Sequence, residues 1–465
     1  MFAARLFYFH YTLFLFPLYL FGAGNAAAKS GFSRALLLMR RRVPRAQATE
    51  ARSDRGVRSR SDCFNPASYL WPMPLTDYQD ALELTLKQRF DWGEETVPLA
   101  DAGGRILAQP LLTDRPQPPF DRVTMDGIAI NHAPYAEGRR LFPVAGVVPA
   151  GAEPLPLTDP TTCLEVMTGA VLPAGTTTII RYEDLERVGE AFRLPEGVVD
   201  AKNIHRTGSD AAAGATLLQP GAEINGAAIN LLASCGYAMV TVKRLPRLTV
   251  IATGDELVAV AQDPLPHQIR MSNVYHLRHQ LRKFGIEARI RHLADDVAEL
   301  RESIADLLEK NDVLVFSGGV SKGKYDFLPE VLAGLGVNQL FHRVAQRPGK
   351  PLWVGRTQQT MVFGLPGNPV SGLVGMTAYV APFLRKNLGI TYDQVWHELY
   401  GELHFDKDLT LFQIAYVQPG TQLAVPLTNE GSGDATSMLR GEGFLVFPKE
   451  RSTFGVGEWL EFLRY

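Results

Sequence analysis

Apolar positions along this chain keep three different rhythms. From Phe120 to about Asp210 they fall in short runs, such as Ile128 to Ile130, Phe142 to Val148 and Thr177 to Tyr182, parted by Gly and Pro turns, which predicts short strands. Near Arg247 the rhythm changes. LTVIATGDEL reads as a buried strand, and Ser272 is placed to cap a helix carrying Val274, Leu277, Leu281 and Phe284 that Gly285 stops. A second strand spans Ile286 to His292, and a capped helix follows with Leu300, Ile304, Leu307 and Leu308. Next, four apolar residues from Val313 run without alternation into Ser317-Gly318-Gly319, the pattern of a strand buried on both faces that delivers a glycine-rich loop. Strand and helix alternating at this spacing predict a doubly wound, mostly parallel α/β sheet. Its last strand, Met361-Val362-Phe363, leads into Gly364-Leu365-Pro366-Gly367-Asn368-Pro369 and a helix from Val370 to Leu384. From about Thr391 short strands return (Phe412 to Gln418, Gln422 to Pro426, Phe444 to Pro448), predicting a small β domain without obvious chemistry, in which GSGDATSMLRGEG is either a plain loop or one that reaches a neighbouring site.

Ahead of these, Thr76 or Asp77 is placed to cap a helix carrying Ala81, Leu82, Leu84, Leu86 and Phe90. Val97 to Pro110 reads as a strand, a turn and a second short element, and the proline-dense Asp114 to Pro119 as an extended linker. The first 72 residues match no fold element. Leu6 to Phe21 is apolar and flanked like a signal peptide, yet short for a membrane span, which needs about 20 residues. An arginine-rich tract from Lys29 to Arg60 follows and cannot build a core. Either this segment targets or anchors the protein, or the reading frame is extended upstream of a native start at Met73. The second reading is preferred, because the globular pattern begins there.

Composition narrows the function classes. A chain of 465 residues divides into roughly two to four domains. A formal net charge of -2 gives no support to nucleic-acid binding. Cys63, Cys163 and Cys235 form no CxxC pair, so neither a disulfide framework nor a zinc site is expected, and a reducing, cytoplasmic setting is.

Chemistry concentrates where topology sends it. Loops at the carboxyl ends of parallel strands share one edge, and ligands sit there. ATGDEL, SGGVSKGKYD and GLPGNPVS each follow an apolar run, with RPGKP close by, so they are expected to meet. Together they bring the carboxylates Asp255, Glu256 and Asp326, the hydroxyls Ser317, Ser321 and Ser371, and the cations Lys322, Lys324, Arg347 and Lys350. Carboxylates beside cations around glycine-lined backbone suit a phosphate ester with Mg²⁺. Gly318 and Gly323-Lys324 have the Walker A spacing, but Tyr325 stands where Ser or Thr should hold the metal, which argues against an NTPase. Asp126-Gly127, Thr168-Gly169 and Gly208-Ser209-Asp210 each read as turns when taken singly.

FDRVTMDGIAI, MTGAVLP, ATGDEL, SGGVSKGKYDF, RPGKP and GLPGNPVS, in this order, closely resemble the molybdopterin molybdenumtransferase family, the MoeA proteins related to the C-terminal domain of gephyrin. The resemblance runs from about Leu75 to the C-terminus. It implies an elongated homodimer of four-domain subunits: a linker domain from 75–119 and 211–245 whose N-terminal helix packs on the α/β domain, a β-rich second domain at 120–210, a MogA-like molybdopterin-binding α/β domain at 246–390, and a β-barrel-like domain at 391–465. The implied reaction inserts molybdate into adenylylated molybdopterin with release of AMP in a Mg²⁺-dependent step, at a site shared between subunits. By motif position, Asp126, Thr168 and Asp210 supply the second-domain face. Glu256, Asp295 or Asp296, and Asp326 supply the α/β face and the metal ligands. Ser317, Gly318, Gly319, Ser321, Pro366, Gly367, Asn368 and Ser371 cradle the pterin substrate, and Arg347 and Lys350 hold oxyanions. His205 stands where the family usually has Arg, and Arg347 where Lys is common. The resemblance also implies the molybdopterin adenylyltransferase as a partner. It leaves two alternatives, adenylylation of molybdopterin itself and a gephyrin-like scaffold without catalysis.

Overall fold

The structure, a computed structural model, describes residues 75–321 and 326–465. The apolar and arginine-rich segments, Met73, and Lys322 to Tyr325 with both loop lysines lie outside the described residues.

Its centre is a six-stranded sheet in the spatial order Arg289–Leu293, Leu248–Thr253, Val313–Ser317, Met361–Leu365, Trp353–Arg356, Asn338–His342. The first four strands run parallel; Trp353–Arg356 is antiparallel to its neighbours on both sides. The unalternating apolar runs are explained by burial on both faces. Val313 and Val315 point into one hydrophobic cluster with Val250, Phe363, Val274, Leu277 and Leu281, while Leu314 and Phe316 join Ile251, Val362, Leu300 and Ile304 in a second cluster on the other face. Helices Asn273–Arg282 and Pro369–Leu388 cover one side, and Val297–Lys310 and Leu328–Gly334 the other.

Local details depart from the sequence reading at three places. Asp77 occupies the N-cap position of helix Tyr78–Leu86, but its carboxylate pairs with Lys449 instead of capping. Ser272 makes no side-chain cap either: its backbone is already helical (φ -89°, ψ -35°), which is not the extended conformation a capping side chain needs. The long helix after Pro369 contains a π turn at Met376–Val380, closed by the Ala381 N–H on the Met376 carbonyl. Pro382 follows directly, and having no N–H it cannot satisfy the regular ladder there.

Helix Tyr78–Leu86 buries Tyr78 and Ala81 in the same cluster as the sheet, with the Tyr78 ring edge-on to Tyr379 at 5.8 Å. Glu94–Pro98 pairs with Met239–Lys243, and Leu111–Leu112 with Thr216–Leu218, around a separate core of Leu107, Leu111, Ile224, Leu232, Val240 and Val242. Residues between these segments form a second six-stranded sheet in the order Thr178–Arg181, Gly127–Ile130, Cys163–Val166, Leu141–Val148, Ala191–Arg193, Glu186–Val188. Toward the C-terminus, Thr410–Val417, Leu423–Pro426, Trp396–Leu399, Trp459–Arg464 and Gly443–Phe447 pair in a closed ring, a five-stranded barrel. Strand alternation splits its residues: Leu411 and Ala415 fill the barrel, while Phe412 and Ile414 pack outward onto the α/β helices.

Candidate functional site

Strand Leu248–Thr253 lies between the second strand of the sheet in sequence and the third, so the chain's winding reverses at its carboxyl end. An α/β sheet leaves a crevice at such a switch point. A cleft of about 1500 Å³ opens here. Its walls include Glu256, Asp295, Ser317, Gly318, Gly319, Ser321, Asp326, Arg347, Lys350, Pro366, Gly367, Asn368 and Ser371, so the glycine loops do share one edge.

The loops are tied to one another. The Asn273 amide donates to the Ser317 hydroxyl at 3.2 Å and to the Gly367 carbonyl at 2.6 Å, and the Gly318 N–H donates to the Leu365 carbonyl at 2.9 Å. Gly318 (φ +107°) and Gly319 (φ +72°) occupy backbone that side chains disfavour, and a Cβ on either would sit 2.9 Å from the Thr253 hydroxyl. That hydroxyl is buried and has no hydrogen-bond partner among the described residues, an unmet polar group in the cleft wall. Ser371 is 3% exposed, in the first turn of the helix that starts at Pro369.

The acidic side is crowded. Burial first, and then the negative charges of Asp255, Glu256 and Asp326, raise the carboxyl of Asp295 above its ordinary range. Of the two neighbouring candidates, Asp295 faces the cleft; Asp296 does not, because its carboxylate accepts the Ala298 and Glu299 N–H groups at 3.0 and 2.9 Å as a helix cap. Among the described residues no three His, Cys, Asp or Glu side chains converge closely enough to hold a metal by themselves.

The barrel supplies a wall that the sequence did not reveal: Tyr400, Glu402, His404, Phe405, Thr428 and Asn429 line the cleft. Arg347 reaches this wall, its guanidinium 5.9 Å from the Phe405 ring, and strand Gln346–Arg347 pairs with Thr410–Leu411 of the barrel. The glycine-rich GSGD loop arrives too; the Ser432 carbonyl accepts the Val370 N–H at 3.1 Å and its hydroxyl accepts the Asn368 amide at 2.9 Å. Strand periodicity gives no hint of which outward residues meet a ligand, so only that loop's glycines carried a signal.

Asp126, Thr168 and Asp210 are not in the cleft wall of the same chain. Asp126 accepts the Thr168 N–H at 2.6 Å and its hydroxyl at 2.7 Å, which lowers its carboxyl from the ordinary value. Asp210 is lowered chiefly by His205, whose Nε2 donates at 2.7 Å while Nδ1 accepts from Arg122 at 3.0 Å. Gly127 is demanded by packing, because a Cβ there would overlap the Ile180 carbonyl.

Residues 76–236 match the MoeA N-terminal region (domain I and II), and residues 249–386 match a family described as a probable molybdopterin binding domain. A protein of Synechocystis named molybdopterin molybdenumtransferase is 37% identical over 390 residues, covering 82% of this chain and 98% of its own. One of the same name from Bacillus subtilis is 33% identical over 372 residues, covering 76% and 86%. The crystal structure of the molybdopterin biosynthesis MoeA protein from Pyrococcus horikosii superposes with a TM-score of 0.72 at 29% identity, covering 84% of this chain and 99% of that one. With both family regions matched in order and relatives aligned over most of their lengths, the chain belongs to the molybdopterin molybdenumtransferases, the MoeA family.

Proposed function

We propose that this enzyme inserts molybdate into adenylylated molybdopterin with release of AMP, and that it does so at the cleft on the carboxyl edge of the parallel sheet. One observation carries the reading: three glycine loops from separate strands and the Arg347–Lys350 turn line a single cleft whose wall also holds the carboxylates of Glu256, Asp295 and Asp326. Molybdate and phosphate are both tetrahedral oxyanions, so a site built from an Arg fork, a Lys and a helix start accepts either. Arg347 and Lys350 take the oxyanion. Ser371 and the Pro366–Asn368 turn sit beside it, and Gly318 and Gly319 let the pterin approach the backbone closely. The Thr253 hydroxyl gains a partner when ligand fills the cleft.

Asp295, with Glu256 and Asp326 near it, has the hard oxygen donors and surplus negative charge that Mg²⁺ requires. Bound there, the metal would neutralise the charge of the substrate phosphates. Asp126, Thr168 and Asp210 complete the site from the other subunit of a homodimer, which is why they stand apart from the cleft within one chain.

The test is cofactor formation from adenylylated molybdopterin, molybdate and magnesium, followed by AMP release and by activation of a molybdenum-free apoenzyme. Molybdate-dependent AMP release is expected, with Lys350→Gln losing at least about tenfold, the size of a charge-assisted hydrogen bond. Purified protein that binds the substrate but releases no AMP when molybdate is added would sink the proposal.

A further inference from the structure

Away from the cleft, a smaller recess of about 230 Å³ opens beside helices Asn273–Arg282 and Ala381–Leu388, with Gly104 and Glu223 at its margin. Gln280, Met376, Thr377 and Ala381, all buried, contribute to its wall, and two of them belong to the π turn at Met376–Val380. Such turns are rare and concentrate at functional sites, because the widened backbone opens the helix surface.

Three cations border this recess, Lys283, Arg385 and Arg464, against the single carboxylate of Glu223. Among the described residues the one ion pair these cations make joins Arg464 to Glu442 at 3.2 Å. Arg385 is held by rings instead of acids, its guanidinium 4.0 Å from the Tyr392 centroid and 5.5 Å from that of Phe284. The two rings fix its position without cancelling its charge. Lys283 is lowered from its ordinary range by burial and then by the nearby charge of Arg385.

We infer that this recess binds a small free dianionic oxyanion of the phosphate or sulfate type. Arg385 offers two parallel N–H donors and Lys283 the second charge. Two uncommitted cations meet a dianion's charge, and the ring stacking presets the Arg fork, so little side-chain entropy is lost on binding. The site is independent of the cleft, whose oxyanion is held by Arg347 and Lys350.

Peptide-resolved phenylglyoxal labelling of the full-length protein reads Arg385 directly, so occupancy of the cleft does not enter the measurement. Inorganic phosphate is expected to slow labelling of Arg385 where sodium chloride of equal ionic strength does not. Lys283→Gln, at a position whose side chain reaches solvent yet is partly desolvated, is expected to shift the protecting concentration upward by about tenfold or more. Equal protection by chloride, or a protection midpoint unchanged by Lys283→Gln, overturns the inference. Either result would leave the reading of the cleft untouched.

Discussion

Asp295 faces the cleft with its proton held more tightly than in an unfolded chain. For a carboxyl raised in this way, the folded state loses stability as the pH climbs from the unfolded value through the folded one, and the cost persists above both. Once ionised, Asp295 therefore works against the fold, and a divalent cation bound at the proposed site would relieve it. In the presence of chelator, Asp295→Asn is expected to melt at a higher temperature than wild type, the gap closing as the pH falls below the ordinary carboxylate range. Added magnesium is expected to raise the wild-type midpoint more than that of the variant; equal gains would remove Asp295 from the metal site. Which of two adjacent aspartates faces the ligand is invisible in the sequence, since both suit a helix N-cap and both suit a metal. What separates them is the start of helix Val297–Lys310, where Asp296 accepts the Ala298 and Glu299 N–H groups while Asp295 is left to the cleft.

Elements were read best where burial is symmetrical. Val313 to Phe316 shows no alternation because both faces of the strand are packed, and that pattern alone located the loop after it. The π turn escaped notice because Val370 to Leu384 keeps a helical apolar spacing through it, and the barrel wall escaped because a strand pattern says which residues face a core but not what the others meet. The Gly318–Gly319 loop can be tested as an element. Alanine at 318 must adopt φ near +107° with its Cβ 2.9 Å from Thr253 oxygen atoms, at a cost of about 1–3 kcal/mol in stability. Since the strained residue lies in the cleft, molybdate-dependent AMP release should fall by about tenfold or more, displacement of a substrate by a fraction of an ångström being enough. Gly336→Ala is the control: it shares the positive φ (+79°) but lies outside the cleft wall, so it should lose stability with activity per folded molecule unchanged. A Gly318→Ala enzyme as active as the control would show that the loop does not touch the substrate.

At the scale of the whole molecule, the segment from Asp121 to Asp210 that holds the sheet of Gly127–Ile130 and its neighbours carries the Asp126–Thr168 and His205–Asp210 pairs, while among the described residues the cleft is walled by the α/β domain and the barrel. The motifs of both groups were legible in the sequence, and the family resemblance implied a site shared between subunits, although motif order by itself does not say which copy of a symmetric assembly completes it. A two-fold dimer brings each surface of one subunit against the complementary surface of its partner. If the cleft is completed that way, Asp126→Asn and Lys350→Gln disable opposite halves of the site. Each variant alone should be inactive. When the two are unfolded together and refolded, or co-expressed, half of the dimers are mixed and each mixed dimer keeps one intact site of two, so activity should return to roughly a quarter of wild type. Site-by-site counting fixes that fraction for variants with negligible activity of their own, and any residual activity measured for each variant alone adds to it. A mixture that stays as inactive as its parts would place the whole site within one subunit, and Asp126 would then need a role outside the cleft.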